Sequence, residues 1–207
     1  MRFVMRNILF VSLITLAFST VAFGYGVGLS TYPLAMDKKI ISGEVTGVVS
    51  KGGGMGVQAR YTQNLNVGTT FDAGMGVSGG DRANRIFAGI DYELFPDYDK
   101  QPRTSLKASI SNAKEFNYSQ NVITLMPTVS KGFSFWGKEG FPYVALPYNV
   151  SLNSDTKTYQ TSFNFTTGIT GRIPVDGYNQ LLGQIEASVN VKDSYSGVFF
   201  GVSYPLN

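Results

Sequence analysis

The 207-residue chain carries 17 Lys and Arg and 14 Asp and Glu, so charged side chains make up 15% of it, where soluble domains average about 25%. It has no His and no Cys, which excludes a Ser-His-Asp triad, a Cys-His dyad, a zinc site of the usual N/S type, a His- or Cys-ligated haem and any disulfide. Aromatics are abundant (15 Phe, 12 Tyr), and 24 Gly with 8 Pro interrupt the chain too often for a mainly helical fold.

Arg2 and Arg6 precede an apolar run from Ile8 to Phe23, and Thr20 and Ala22 place small residues at the −3 and −1 positions of a cleavage site. That is the layout of a secretory signal peptide, so residues 1–22 are expected to be removed after Ala22. The mature chain then loses two of its 17 basic residues and is +1, not +3. Nucleic acid is accordingly not an expected partner.

Period-two alternation of apolar and polar side chains recurs from there to the end, and no window reaches the length of a membrane-spanning helix. Residues 25–32 alternate first. An odd strand there would put the two termini on opposite sides, so residues 23–39 are read as an N-terminal segment tucked into the lumen, or along the rim, of a barrel built from the rest of the chain. Ten segments make up that remainder, at 40–49, 54–64, 67–77, 84–95, 103–113, 120–133, 141–153, 159–173, 181–192 and 198–206, separated by Gly, Asn, Asp and Pro breaks. In the ninth, Ile185, Ala187 and Val189 oppose Gln184, Glu186 and Ser188. Eight or twelve strands stay open as counts; separately, the alternation at 25–32 leaves open that the segments at 40 and 54 are one interrupted strand. Pro127 and Pro147 fall inside strands and are expected to share one bulge across a hairpin.

A soluble sandwich or barrel would alternate in the same way. What separates the cases is the polar face, which here is largely Gly, Ser, Thr, Asn and Gln, with charges spaced out and without the Lys and Glu of a water-facing surface. That suits the crowded interior of a small membrane barrel, whose closure satisfies every backbone group. The fold class expected is therefore all-β: a closed, antiparallel, up-and-down transmembrane barrel of about ten strands, forming one domain over residues 23–207. Strand direction gathers Tyr61, Phe95, Phe135, Trp136, Phe141, Tyr178 and Tyr204 near the turns on the side of the termini, as one interfacial girdle. Phe116, Tyr118, Tyr159 and Tyr195 fall near the other rim.

On this pattern the chain resembles the small bacterial outer-membrane β-barrel proteins, the broad OmpA, OmpX and OmpW class. Gly201, Tyr204 and Leu206 match the C-terminal assembly signal of that class, although the chain ends in Asn207 where those proteins usually end in Phe or Trp. The resemblance implies the Gram-negative outer membrane as location, insertion by the barrel-assembly machinery, and contact with outer-membrane lipid and lipopolysaccharide as a monomer.

Inward parity selects Glu44, Arg60, Asp72, Asp91, Glu93, Lys107, Arg172 and Glu186 as a lumen charge network. Because an unpaired charge in a low-dielectric interior is costly, they are expected to pair and fill the lumen more than to line an open pore. Asp91 and Glu93 are spaced for acid/base chemistry or a cation, with pairing to Arg60 or Arg172 the stronger reading. No catalytic, cofactor or metal site is expected. The function expected is a non-enzymatic, structural role in the cell envelope with at most a narrow, porin-like conduit. The alternatives are a barrel that binds or passes a small hydrophobic molecule, for which inward Val48, Phe87, Leu182 and Phe199 are the support, and a surface attachment protein.

Overall fold

The computed structural model describes residues 26–50, 54–79, 82–115, 118–135, 137–175, 177–178 and 180–206, and in it the alternation of residue type becomes an alternation of face. The cleavage site expected after Ala22 lies outside the described residues. A short 3-10 helix, η1 (Gly28–Thr31), precedes twelve strands. These are β1 (Lys39–Val48), β2 (Gly54–Asn66), β3 (Thr69–Ser78), β4 (Arg82–Phe95), β5 (Arg103–Glu115), β6 (Tyr118–Ser130), β7 (Phe133–Phe135), β8 (Lys138–Ala145), β9 (Tyr148–Asn153), β10 (Tyr159–Arg172), β11 (Leu182–Lys192) and β12 (Gly197–Leu206).

Each pairing is antiparallel, and β12 closes the sheet onto β1 in continuous register from Lys39↔Leu206 to Val48↔Gly197. Strands β8 and β9 form one stave, since each pairs with β6 on one side and β10 on the other. β7 is an arm folded on β8 alone. The fold is thus a closed antiparallel barrel of ten staves, as the alternation predicts, and no sheet edge is left along its wall.

The bulge expected at Pro127 and Pro147 does not form. Pairing runs in one register from Leu125↔Tyr148 to Thr128↔Ala145, which sets Pro127 opposite Leu146 and Pro147 opposite Met126. The neighbouring amides still use the proline carbonyls, Leu146 N–H donating to Pro127 at 3.0 Å and Asn164 N–H to Pro147 at 3.0 Å. Each ring removes its own donor and nothing more, so no extra residue is needed. Register shifts occur instead near strand ends, between Asn64 and Asn66, between Glu93 and Phe95, and at Phe163/Asn164.

The two ends of the barrel differ. The terminal end, which carries the start of β1 and the finish of β12, is also where β2 meets β3, β4 meets β5, β6 meets β7 and β8, and β10 meets β11; the far end is where β1 meets β2, β3 meets β4, β5 meets β6, β9 meets β10 and β11 meets β12. Gly68, with φ of +82°, permits the two-residue connection between β2 and β3. One outward row runs Ile41–Tyr61–Ala73–Ala88–Ile110–Ile123–Val150, from the terminal end of β1 to the far half of the β8–β9 stave. That climb is the stagger of a barrel whose strands tilt by about 40°.

Burial is inverted relative to a protein folded for water. Among the described residues 36 large apolar side chains are exposed and 12 apolar ones are buried, against 25 buried polar or charged residues. The exposed set includes Val45, Val57, Met75, Ile90, Ile110, Ile185, Val189 and Val202, all on the outer face. Thr46, Ser105, Thr124, Thr166, Thr170 and Ser203 point into the lumen and are 2% exposed or less.

Candidate functional site: a charged lumen that holds the N-terminal segment

Three successive staves bring together the groups that the inward parity selects. Glu44 on β1, Arg60 on β2 and Asp72 on β3 are at most 4% exposed, and Arg60 bridges the other two, with Nε 2.7 Å from Glu44 Oε1 and Nη1 2.5 Å from Asp72 Oδ2. Lys107 on β5 shares Asp72, its Nζ 2.8 Å from the same Oδ2. Gln58 donates to Glu44, and the Arg60 guanidinium lies 4.8 Å from the centre of the Phe87 ring, as does that of Arg85. Removing any one of these charges would leave its partner desolvated, so the cluster holds as a unit.

Chain threads through this cluster. Val27, Leu29 and Thr31 are at most 1% exposed because residues 26–31 run inside the barrel toward its terminal mouth. Their backbone is held by the network: Val27 N–H donates to Glu186 Oε2 at 2.7 Å, Lys107 Nζ donates to the Val27 carbonyl at 2.9 Å, and Arg60 Nη2 to that of Gly26 at 3.3 Å. Tyr143 on β8 donates its hydroxyl to the same Glu186 oxygen at 2.5 Å. Gly28 is demanded twice over, since its φ is +77° and a Cβ there would stand 2.4 Å from Arg60 Nη1. Apolar contacts complete the seat: Val27 against Met126, Tyr143 and Ala145, and Leu29 against Ile40 and Leu182. At the terminal mouth Thr31 meets Thr170 at 3.0 Å, and Tyr32 stands edge-on to Phe141, ring centroids 5.4 Å apart. Within the alternating segment, residues 26–32 form no strand, and a 3-10 turn stands at Gly28–Thr31, because a single chain inside the lumen has no ladder to join.

A second cluster occupies the terminal end. Asp91 and Glu93, which the sequence pairs with Arg60 or Arg172, are instead both held by Arg103, Nη2 2.7 Å from Asp91 and Nε 2.7 Å from Glu93. Ser105 donates to Asp91 at 3.0 Å. With both carboxylates so engaged, the pair is not arranged as a free acid and base or as a cation cage.

Arg172 departs from expectation. It is exposed at the terminal end of β10, beside Tyr32, and takes no part in the buried network; its parity is inward but the lumen has ended by that residue. Conversely, Arg85, Arg103 and Tyr143 belong to the lumen although they are absent from the set expected; their inward parity is the signal in the sequence that marks them. The four inward apolar residues do not gather into a pocket. Leu182 is taken by Leu29, Phe199 lies at Gly26, Phe87 sits between two arginines, and Val48 is at the far end.

Of the expected aromatic girdle, Phe95, Tyr178 and Tyr204 are exposed at the terminal end, and Tyr61 is half-buried on the outer face with its hydroxyl on Gln63. Phe141 is a correction: it faces the lumen mouth against Tyr32, not outward. Trp136 and the side chain of Phe135 lie outside the described residues, as do Phe116 and the side chain of Tyr118. Tyr92, Tyr98 and Phe133 add exposed rings at the same end, and Tyr159 one at the far end. In the segment matched to the assembly signal, Gly201 faces inward against Glu44 and Gln184, and Tyr204 faces outward.

Outside the wall, the 96–102 turn is tied to the end of β6. Lys131 Nζ binds the Asp97 carboxylate and the carbonyls of Asp99 (2.5 Å) and Gln101 (3.3 Å), while Gly132 N–H donates to Asp97 at 2.7 Å. Slight desolvation would raise the Asp97 pKa, but the Lys131 and Gly132 donors outweigh it and hold the carboxyl below its ordinary range.

No known protein family and no curated protein sequence matches the chain. Among solved structures, it is similar to the translocator domain of autotransporter NalP from Neisseria meningitidis, at 11% identity and a TM-score of 0.43, over 87% of this chain and 92% of that one. At that level the likeness carries no functional information.

Proposed function

We propose that this chain is an integral outer-membrane β-barrel of the Gram-negative cell envelope, without enzymatic activity, whose lumen is kept shut by its own N-terminal segment. The inverted burial carries this reading. An outer face of exposed Val, Ile, Leu, Met and Phe around a wall with no open edge is stable in hydrocarbon and unfavourable in water, where each such side chain left unburied forgoes about 1.5–3 kcal/mol. Nine of the staves are single strands of 10 to 14 residues and the tenth is β8 with β9; tilted as the register requires, they span an apolar band of about 25 Å.

The lumen supports a structural role over a transport role. Arg60, Lys107 and Arg103 pair with Glu44, Asp72, Asp91 and Glu93, Glu186 is held by the Val27 N–H and the Tyr143 hydroxyl, the apolar residues are dispersed, and Val27, Leu29 and Thr31 are buried inside the barrel. Far-end connections of two to five residues give little surface for attachment.

Two measurements test this. The protein should require detergent, migrate differently in SDS with and without boiling, and give β-type circular dichroism; a monomer soluble without detergent would overturn the membrane reading. Reconstituted in planar bilayers it should show little steady conductance, and large open channels would overturn the closed lumen.

A further inference from the structure

The outer wall is not uniformly convex. Ala73 and Ala88 on the climbing row from Ile41 to Val150, with Ala59 beside them, floor a groove of about 1070 Å³ across β1 to β6; Met75 and Ile86 stand next to it, and Ile41 and Ile123 lie at its two ends. Its walls are apolar side chains that are otherwise exposed, Met75 by 65% and Ile86 by 63%. Five strand spacings make it about 24 Å long, comparable to an extended acyl chain. Hydrocarbon cannot leave such a volume empty, because a void forfeits the contacts of every atom lining it.

One end of the groove is polar. Asn112 and Asn121, on β5 and β6, line it toward the far end and are bonded to each other, Asn112 Nδ2 to Asn121 Oδ1 at 2.8 Å, with Asn112 also donating to Ser119 at 3.2 Å and Asn121 to Ser154 at 3.0 Å. Two residues further up the same face of β5 stands exposed Lys114. Ile110, Asn112 and Lys114 thus step from apolar to amide to cation along one strand, the order of chain, ester and phosphate in a membrane lipid.

From this juxtaposition we propose that the groove is a binding site for one phosphate-bearing lipid, its acyl chain lying over Ala73 and Ala88 and its headgroup at Asn112, Asn121 and Lys114. The site rests on the membrane reading of the barrel. It is on the outer wall, so it is independent of whether the lumen is open.

Native mass spectrometry of the full-length barrel released from detergent micelles doped with phosphatidylglycerol tests it. The unmodified protein should retain one lipid, whereas Ala73→Phe with Ala88→Phe, which fills the groove from outside without touching the lumen, should lower retention about tenfold. Lys114→Gln should lower it about threefold for phosphatidylglycerol and leave a neutral diacylglycerol unaffected. Val189→Phe, on the opposite wall, should change nothing, and the heat-dependent gel shift checks that each variant is folded. Equal retention by the filled and unmodified barrels overturns the site while leaving the membrane reading intact. A dimer lost on filling the groove assigns it to a second copy instead, and a protein soluble without detergent overturns both readings together.

Discussion

Arg60 is where the proposed closure of the lumen is most open to test. Its guanidinium is the cation nearest Glu44, shares Asp72 with Lys107, and reaches the carbonyl of Gly26; the four side chains are all 4% exposed or less. Arg60→Met keeps much of the side-chain volume but leaves Glu44 with Gln58 as its remaining donor. Breaking a buried pair from one side costs about 3–5 kcal/mol, because the carboxylate stays desolvated without its counter-charge. At 1.4 kcal/mol per decade, that is a loss of about two to three and a half orders of magnitude in the folding equilibrium. Glu44→Gln on top of Arg60→Met removes the stranded charge, so the double variant should recover most of the loss. Urea titration in detergent micelles, following the fraction that shows the folded gel mobility, measures all three proteins. A single variant within about 1 kcal/mol of the parent, or a double variant no better than the single, would refute the argument that the network is a buried, mutually dependent cluster.

Gly28→Ala should unseat the N-terminal segment, since a left-handed backbone costs a non-glycine residue about 1–2 kcal/mol and the added methyl meets Arg60 Nη1 at 2.4 Å. Its signature is more frequent current steps in planar bilayers with the gel shift retained. Ile185→Lys, on the outer wall, should destabilise the folded state by about 2–4 kcal/mol in lipid, where the same change on a water-facing surface would be neutral or favourable. Asp97, with its pKa lowered in the folded protein, contributes stability above about pH 4, the unfolded carboxyl's range, and loses it as pH falls through the folded value. Asp97→Asn should therefore be less stable than the parent at neutral pH, with the difference closing in urea titrations as pH falls below the folded carboxyl's lowered value. A difference that persists at acid pH would assign the effect to something other than the Lys131 pair.

Much of this architecture is legible in the chain itself. Alternation with period two sets which side chains share a face, and a polar face built from Gly, Ser, Thr and Asn next to an apolar one of Val, Ile and Phe can be read as inside-out without coordinates. Strand number follows from counting such segments, because each must be long enough to cross and is bounded by Gly, Asn or Pro. Parity likewise marks Glu44, Asp72, Lys107 and Glu186 as inward. It is silent on height along the axis, which is why Arg172 has inward parity yet stands at the rim, and why Phe141 turns out to close the mouth.

Partnerships were decided only by the closed sheet. Asp91 and Glu93 find Arg103 and not Arg60 because register, a property of two strands at once, sets which inward residues share a level. The prolines escape a bulge for the same reason: the pairing on both flanks keeps one register, so the chain passes them without slipping. Residues 26–34 alternate like a strand but are read from the even strand count as a segment of the lumen or rim; which groups hold them is not legible in the chain. Once ten staves have closed no edge remains for an eleventh, and the segment satisfies its backbone on Glu186, Lys107 and Arg60, within its own turn from Tyr32 N–H to the Leu29 carbonyl, and on Asn64, which donates to the Leu34 carbonyl. Local residue order determines faces; closure determines neighbours, and with them what the interior can hold.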